Sequence, residues 1–194
     1  MARVHFLNVG DGDCIIIEHA SGRITMMDIC SGNLVTSREA ALTKALQLST
    51  VRGNFRMCQF PNNPIDYLRQ ISASQVFRFI LSHPDMDHMD GFDNLFTKTT
   101  IVNYWDSGVR KPKPDFAGSP YNEADWDRHI AVRDGQTNIT ALTVRAGNSF
   151  RYANKEEDGS AGGDGLHILA PSVDLVQEAN ESGDPHKGAC HPLS

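Results

Sequence analysis

Apolar residues along this chain come in short runs separated by turn-forming residues, and the spacing within each run selects its element. Val4, Phe6 and Val9 lie in one short segment and Cys14, Ile15, Ile16 and Ile17 in a second, with Gly10-Asp11-Gly12-Asp13 between them. Two strand-like runs joined by Gly and Asp predict a hairpin. A third run, Ile24-Thr25-Met26-Met27, ends at Asp28. Thr36 and Glu39 then have capping-box spacing, and Leu42, Ala45 and Leu46 form a narrow apolar stripe, which predicts a helix. Residues 50–62 read as a loop. Asn63-Pro64 predicts a cap and first helical position, with Ile65, Leu68 and Ile71 on one side. Residues 76–81 (Val-Phe-Arg-Phe-Ile-Leu) predict a buried or nearly buried strand, residues 90–97 a short helix and residues 101–105 another strand. Residues 107–120 contain three Pro and two Gly and read as a long surface loop. Asn122 is placed to cap a helix with Glu123 and Asp125 in its first turn and Trp126 and Ile130 inward. A strand over residues 139–145, a polar, Gly-rich loop over 153–165 expected to be mobile, a last strand over 166–169 and a helix from Ser172 to about Asn180 complete the pattern.

Strands lead in the first third and alternate with helices afterwards, which predicts a layered α/β domain with at least one mixed sheet. The order of strands stays open. At 194 residues the chain is long enough for one domain. Hydrophobic residues at 40% and charged residues at 22% exclude a disordered chain. The net charge of −6 argues against binding nucleic acid across the whole surface and leaves a local basic groove open. No run approaches the roughly 18 apolar residues of a membrane span, and the N-terminus enters strand-like sequence with no signal-peptide core. The expectation is a cytoplasmic chain with no membrane partner. The four Cys, at 14, 30, 58 and 190, contain no Cys-x-x-Cys and fit reduced thiols.

Chemistry concentrates in His83-Pro84-Asp85-Met86-Asp87-His88, immediately after the strand over 76–81. Two neutral nitrogen ligands and two anionic oxygen ligands suit Zn²⁺, Mn²⁺ or Fe better than Ca²⁺. Leaving a strand end, His83 and Asp85 project to one side at alternate positions, while Asp87 and His88 turn toward a neighbouring point, an arrangement that serves two adjacent metals. The plain alternative is an acidic, solvated turn in which Asp85 or Asp87 caps the helix near Asp90.

The segment Leu81-Ser82-His83-Pro84-Asp85-Met86-Asp87-His88-Met89-Asp90-Gly91 resembles the metal-binding signature of the metallo-β-lactamase superfamily, His-x-His-x-Asp-His, with Asp85 at the second His as in its ComEC-like subgroup of DNA-uptake competence proteins and their relatives. Phe6-Leu7-Asn8-Val9-Gly10-Asp11-Gly12-Asp13-Cys14 is similar to that subgroup's first strand–turn–strand, and Met27-Asp28-Ile29-Cys30-Ser31-Gly32 to its Asp-bearing strand end. The matches span about residues 3–105, in the family's order. The resemblance implies an αββα sandwich of two face-to-face sheets with helices outside. It implies hydrolysis by a metal-bound hydroxide on phosphodiester or related ester bonds, in a small molecule or in nucleic acid. His83 and Asp85 would hold one Zn ion (Mn or Fe in its place), Asp87 and His88 a second. Asp87 would also orient the attacking water, and Asp28 would position the loop from behind. The family's later ligands, a bridging Asp and further His, have no counterpart at a strand end after His88, since Gly163-Asp164 sits in the Gly-rich loop. The expectation is therefore an N-terminal portion of the fold over residues 1–183, an unstructured or divergent tail over 184–194, and exposed apolar sheet surface. A homo-oligomer or a partner chain would complete it. A non-catalytic domain with a partial metal site, or with a partner-binding role, is the rival expectation.

Other residues read plainly. His186, Cys190 and His191 are chemically able to replace missing ligands, but the tail has no flanking strand. His167 alternates with Leu166 and Ile168 and faces away from the core. Asp125 and His129, four apart on one helix, predict an ion pair. His5 and His19 carry no motif. Cys14 and Cys30 predict buried thiols. Trp105 and Trp126 predict core packing. Arg110, Lys111 and Lys113 read as a solvated basic loop.

Overall fold

A computed structural model describes residues 1–34 and 61–182. The helix predicted over residues 36–46, most of the loop over 50–62, Cys58, and the tail with His186, Cys190 and His191 lie outside the described residues. Six strands form one mixed sheet in sequential order. They are β1 Arg3–Phe6, β2 Ile15–Glu18, β3 Ile24–Met27, β4 Gln75–Leu81, β5 Thr100–Asp106 and β6 Thr140–Thr143. β1, β2 and β3 pair antiparallel through the predicted hairpin; β3 to β6 run parallel. Four helices are described: α1 Pro64–Gln70, α2 Phe92–Lys98, α3 Glu123–Arg133 and α4 Val173–Ser182. None is long and apolar enough to cross a membrane.

Local chemistry sets the helix starts. The Asn63 carboxamide oxygen accepts from the Ile65 and Asp66 N–H groups, with Pro64 in the first turn. Asn122 accepts from Ala124 N–H. Helix α2 begins after Gly91, which has no side chain to offer and sits at φ 100°. Its cap comes from α3 instead: the Asp125 carboxylate accepts from the Gly91 and Asp93 N–H groups and from the Asn33 amide. The expected Asp125–His129 ion pair is thereby overturned. Asp125 is already committed to the α2 backbone, and His129 Nδ1 bonds the Tyr104 hydroxyl at 2.8 Å in the core.

One face of the sheet carries the main core. Ile16, Met26, Phe79, Leu81 and Tyr104 pack there against Ile65 and Leu68 of α1, Phe92 and Leu95 of α2, and Trp126 and Val132 of α3. Across the opposite face, strand register aligns Phe6, Ile15, Met27, Ile80, Trp105 and Leu142 in one apolar row. The β5–β6 end of this row is covered by Val144, Phe150, Ala153, Leu166 and Ile168. The β1 end is open: Phe6 is 77% exposed and Val4, on the same face, 52%.

Residues 166–169 form no strand. Leu166 and Ile168 turn toward Trp105 and His167 outward, as their alternation predicted. Their backbone, however, bonds to loops: Leu166 N–H donates to Ala153 O and Gly147 N–H to Ile168 O. The Gly-rich loop is anchored to the sheet at Asp164. Asp164 inserts a fully buried carboxylate between Arg23, which it holds through both oxygens, and Arg78 at 2.9 Å on β4.

Candidate functional site

The parallel strands β3, β4, β5 and β6 all end at one edge of the sheet, the edge where α/β folds place ligands. A cavity of about 430 Å³ opens there, lined by Asp13, Asp28, Ser82, His83, His88 and Ser107, among others. All three recognised segments meet at this edge. The hairpin turn reaches it at Gly12, where a Cβ would collide with the Asp87 carbonyl and lie 2.6 Å from Cys30 Cβ. The segment after β3 clasps the loop after β4. Ile29 N–H donates to His88 O, Gly32 N–H to Asp90 O, and Ser31 N–H to the Asp90 carboxylate. A side chain at Gly91 would strike the Gly32 backbone, so the two glycines allow the clasp to close.

The loop itself is short and pegged. Pro84 restricts His83 to extended backbone. A 3₁₀ turn over Met86–His88 follows, with Met86 and Met89 buried on either side of Asp87 and His88. Asp85 opens this turn without a side-chain capping bond, so the solvated-cap alternative gains nothing from it.

Asp28 anchors the site from beneath. It is 3% exposed and sits at φ 57°, a conformation that Asp tolerates better than most residues. One oxygen accepts from Ser82 N–H at 2.8 Å; the other accepts from Ser82 Oγ at 2.6 Å and meets His88 Nδ1 at 2.9 Å. The His88 ring is thus fixed through Nδ1, and its Nε2 lies 3.5 Å from an Asp87 carboxylate oxygen. The His83 ring repeats the arrangement. Its Nδ1 meets Ser82 Oγ at 3.0 Å and its Nε2 lies 3.3 Å from Asp85 Oδ2. The two ring centroids are 4.0 Å apart.

Electrostatics differ between the two histidines. Burial lowers the His83 pKa, and the neighbouring His88 and Lys111 charges lower it further. Burial also works against protonated His88, but the hydrogen bond and charge of Asp28, with Asp87 and Asp13, outweigh it and raise the pKa. Lys111 is a site residue that the sequence did not reveal. Its ammonium pairs with the second oxygen of Asp85. The basic loop is therefore not simply solvated: Arg110 lies 3.7 Å from Asp106, and Lys113 is 2.7 Å from both Glu123 and Asp127. Ser82, likewise overlooked, stood directly before the first histidine of the motif.

Zinc bonds to nitrogen and oxygen of about 2.0–2.2 Å place neighbouring donors of a tetrahedral shell roughly 3.3–3.6 Å apart. The His83–Asp85 and His88–Asp87 separations match that edge, and both Nε2 atoms are the ring nitrogens left over by Ser82 and Asp28. The donor types are those a divalent ion takes, and they stand as two pairs, each of one imidazole nitrogen and one carboxylate oxygen. Among the described residues no group of three or more His, Cys, Asp or Glu closes into a full cage. Other candidates stand apart. His5 bonds Tyr67 and Glu18, His19 bonds Thr25, and Asp164 is held by arginines. Cys14 and Cys30 are buried free thiols whose pKa values burial raises.

Comparison with protein-family models finds no match for this chain, and a search of curated proteins finds none.

Proposed function

We propose that this chain is a divalent-metal-dependent hydrolase of metallo-β-lactamase type, acting on phosphodiester or related ester bonds. The observation that carries the reading is the convergence at Asp28. The Gly12 turn and the segment after β3 close on the motif loop, and both histidines are fixed through Nδ1 with Nε2 beside a carboxylate. His83 with Asp85 and His88 with Asp87 would hold the ions, Zn first in preference. A bound divalent ion acidifies water and polarises an ester oxygen. The chain's own groups supply the rest. Asp28 fixes the His88 ring, Ser82 links the two histidines, and Asp87, the most exposed of the four carboxylates and imidazoles, is placed to accept a proton from water. In the same reading, the open end of the apolar row is the surface that the second sheet of an αββα sandwich covers, supplied by further chain, a second copy or a partner.

A non-catalytic domain with a partial metal site is the second reading. It draws support from the Lys111 ammonium on Asp85, and among the described residues no closed cage of three or more ligands is found.

Metal content separates the two. Chain purified without chelator is expected to carry close to two ions, and Asp87→Ala/His88→Ala to lose them together with any activity in a phosphodiester screen. One ion and no hydrolysis would favour the partial site. Activity retained in the double variant would remove the proposed site altogether.

A further inference from the structure

The two donor pairs have opposite surroundings. Behind His88 stands a carboxylate, Asp28 at 2.9 Å, and a further carboxylate, Asp13, lines the same cavity. Behind Asp85 stands a cation, the Lys111 ammonium on Oδ1, while Oδ2 faces His83 Nε2 at 3.3 Å. Among the described residues Asp87 has no Lys or Arg within ion-pair distance; His88 Nε2 lies 3.5 Å from its carboxylate. An ammonium group has donors only and cannot ligate. At the Asp85 carboxylate it does what a divalent ion would do, neutralise charge, and it repels any such ion arriving beside it. The Lys111 side chain is 12% exposed, so water screens this repulsion only in part.

We infer that Lys111 is a built-in competitor for metal at the His83–Asp85 pair, so that the His88–Asp87 pair fills first and the His83–Asp85 pair binds second and more weakly. This rests on the metal-site reading above and adds an order of filling to it. The loop is suited to such a role. Arg110 beside Asp106 and Lys113 on Glu123 and Asp127 moor it on both sides of Lys111. Lys111 can therefore leave Asp85 without releasing the loop.

Calorimetric titration of the full chain with Zn²⁺ alone tests it, with no need for activity. Wild type is expected to bind in two steps. Lys111→Met should tighten the weaker step about tenfold, the order expected for one partly screened charge, and leave the tighter step in place. Lys111→Arg should keep the wild-type profile. Lys98→Met, which removes an exposed charge at the end of α2, away from the site and from the loop, should change nothing and controls for the loss of one positive charge. A weaker step that Lys111→Met leaves unmoved or weakens further overturns the inference while leaving the metal site standing, as does a single step in wild type. Absence of Zn²⁺ binding in wild type, with circular dichroism showing a folded chain, overturns the metal-site reading and this inference with it.

Discussion

Two buried aspartates pack against the same strand pair, β3 and β4, and do different work. Asp164 reaches Arg78 on β4, whose register partner is Thr25 on β3; Asp28 stands one residue beyond β3 and bonds Ser82, one residue beyond β4. Both carboxylates are almost fully buried. Asp164 accepts from Ser21 Oγ at 2.6 Å, from Arg23 through both oxygens and from Arg78. Its charged partners are permanent cations, and beyond them the contacts run inward, from Arg78 to Thr25 and on to His19. Asp28 accepts from Ser82 and holds His88, which lines the cavity and whose second nitrogen continues toward the half-exposed Asp87. Burial of a carboxylate is common to both. What separates a structural cluster from a candidate site is whether the chain of polar contacts closes on itself or ends on a donor atom facing open space.

The comparison breaks if Asp164→Asn is harmless. Removing one partner of a buried ion cluster leaves the others uncompensated, at a cost of about 3–5 kcal/mol, and here two guanidinium groups lose their shared anion. Urea unfolding should show a loss of that order, with metal content per folded chain unchanged. Burial alone would raise the Asp164 pKa, but the bonds from Arg23, Ser21 and Arg78 overcome it and hold the pKa below the ordinary carboxylate range. The contribution is present above the unfolded value, near about 3.9, and disappears as pH falls through the folded one.

His129 sharpens the comparison as a buried group with neither fate. Burial lowers its pKa to about 3, with the Arg133 and Arg110 charges adding to the effect. Among the described residues its Nε2 has no hydrogen-bond partner. In the unfolded chain the ring takes up a proton near about pH 6.5, while the folded chain refuses it until much lower pH. Stability should therefore fall as pH drops below about 6.5, by up to roughly 1.4 kcal/mol per unit from this group. His129→Leu should flatten that slope in melts run between neutral and acid pH. An unchanged slope would mean that the ring is not the neutral core group its contacts imply.

How much of this was legible in the sequence follows from how local each signal is. Asn63-Pro64 and Asn122 announced their helices because a cap and its N–H targets lie within three residues. The motif loop announced itself because its candidate donors, His83, Asp85, Asp87 and His88, fall within one short segment. The α2 cap was hidden because Gly91 has no side chain and Asp125 comes from another helix. The Arg23–Asp164 pair bridges 141 positions, and no periodicity encodes it. Arg78 did carry a trace: one arginine inside Val-Phe-Arg-Phe-Ile-Leu demands a buried anion, though the sequence does not say which. Residues 166–169 misled because alternation reports which way side chains face, and that was right, but not whether a neighbouring strand is there to take the backbone bonds.

The smallest and most discriminating change is Asp28→Asn. Asn tolerates the left-handed conformation at this position, so the backbone should stand. Its carbonyl oxygen can still accept from Ser82 N–H. Its amide nitrogen, however, then faces His88 Nδ1 as a donor. The ring must accept there, and its proton moves to Nε2, the nitrogen beside Asp87 that the proposed site needs bare. Changes to a histidine's outer partner typically cost 10–100-fold in metal affinity, about 1.4–2.7 kcal/mol. Zn²⁺ affinity should fall within that range, with the urea midpoint shifting far less than in Asp164→Asn. If the midpoint falls as far as it does for Asp164→Asn while Zn²⁺ affinity holds, the two aspartates are equivalent structural anchors, and the distinction between a closed cluster and an open one does not mark the site.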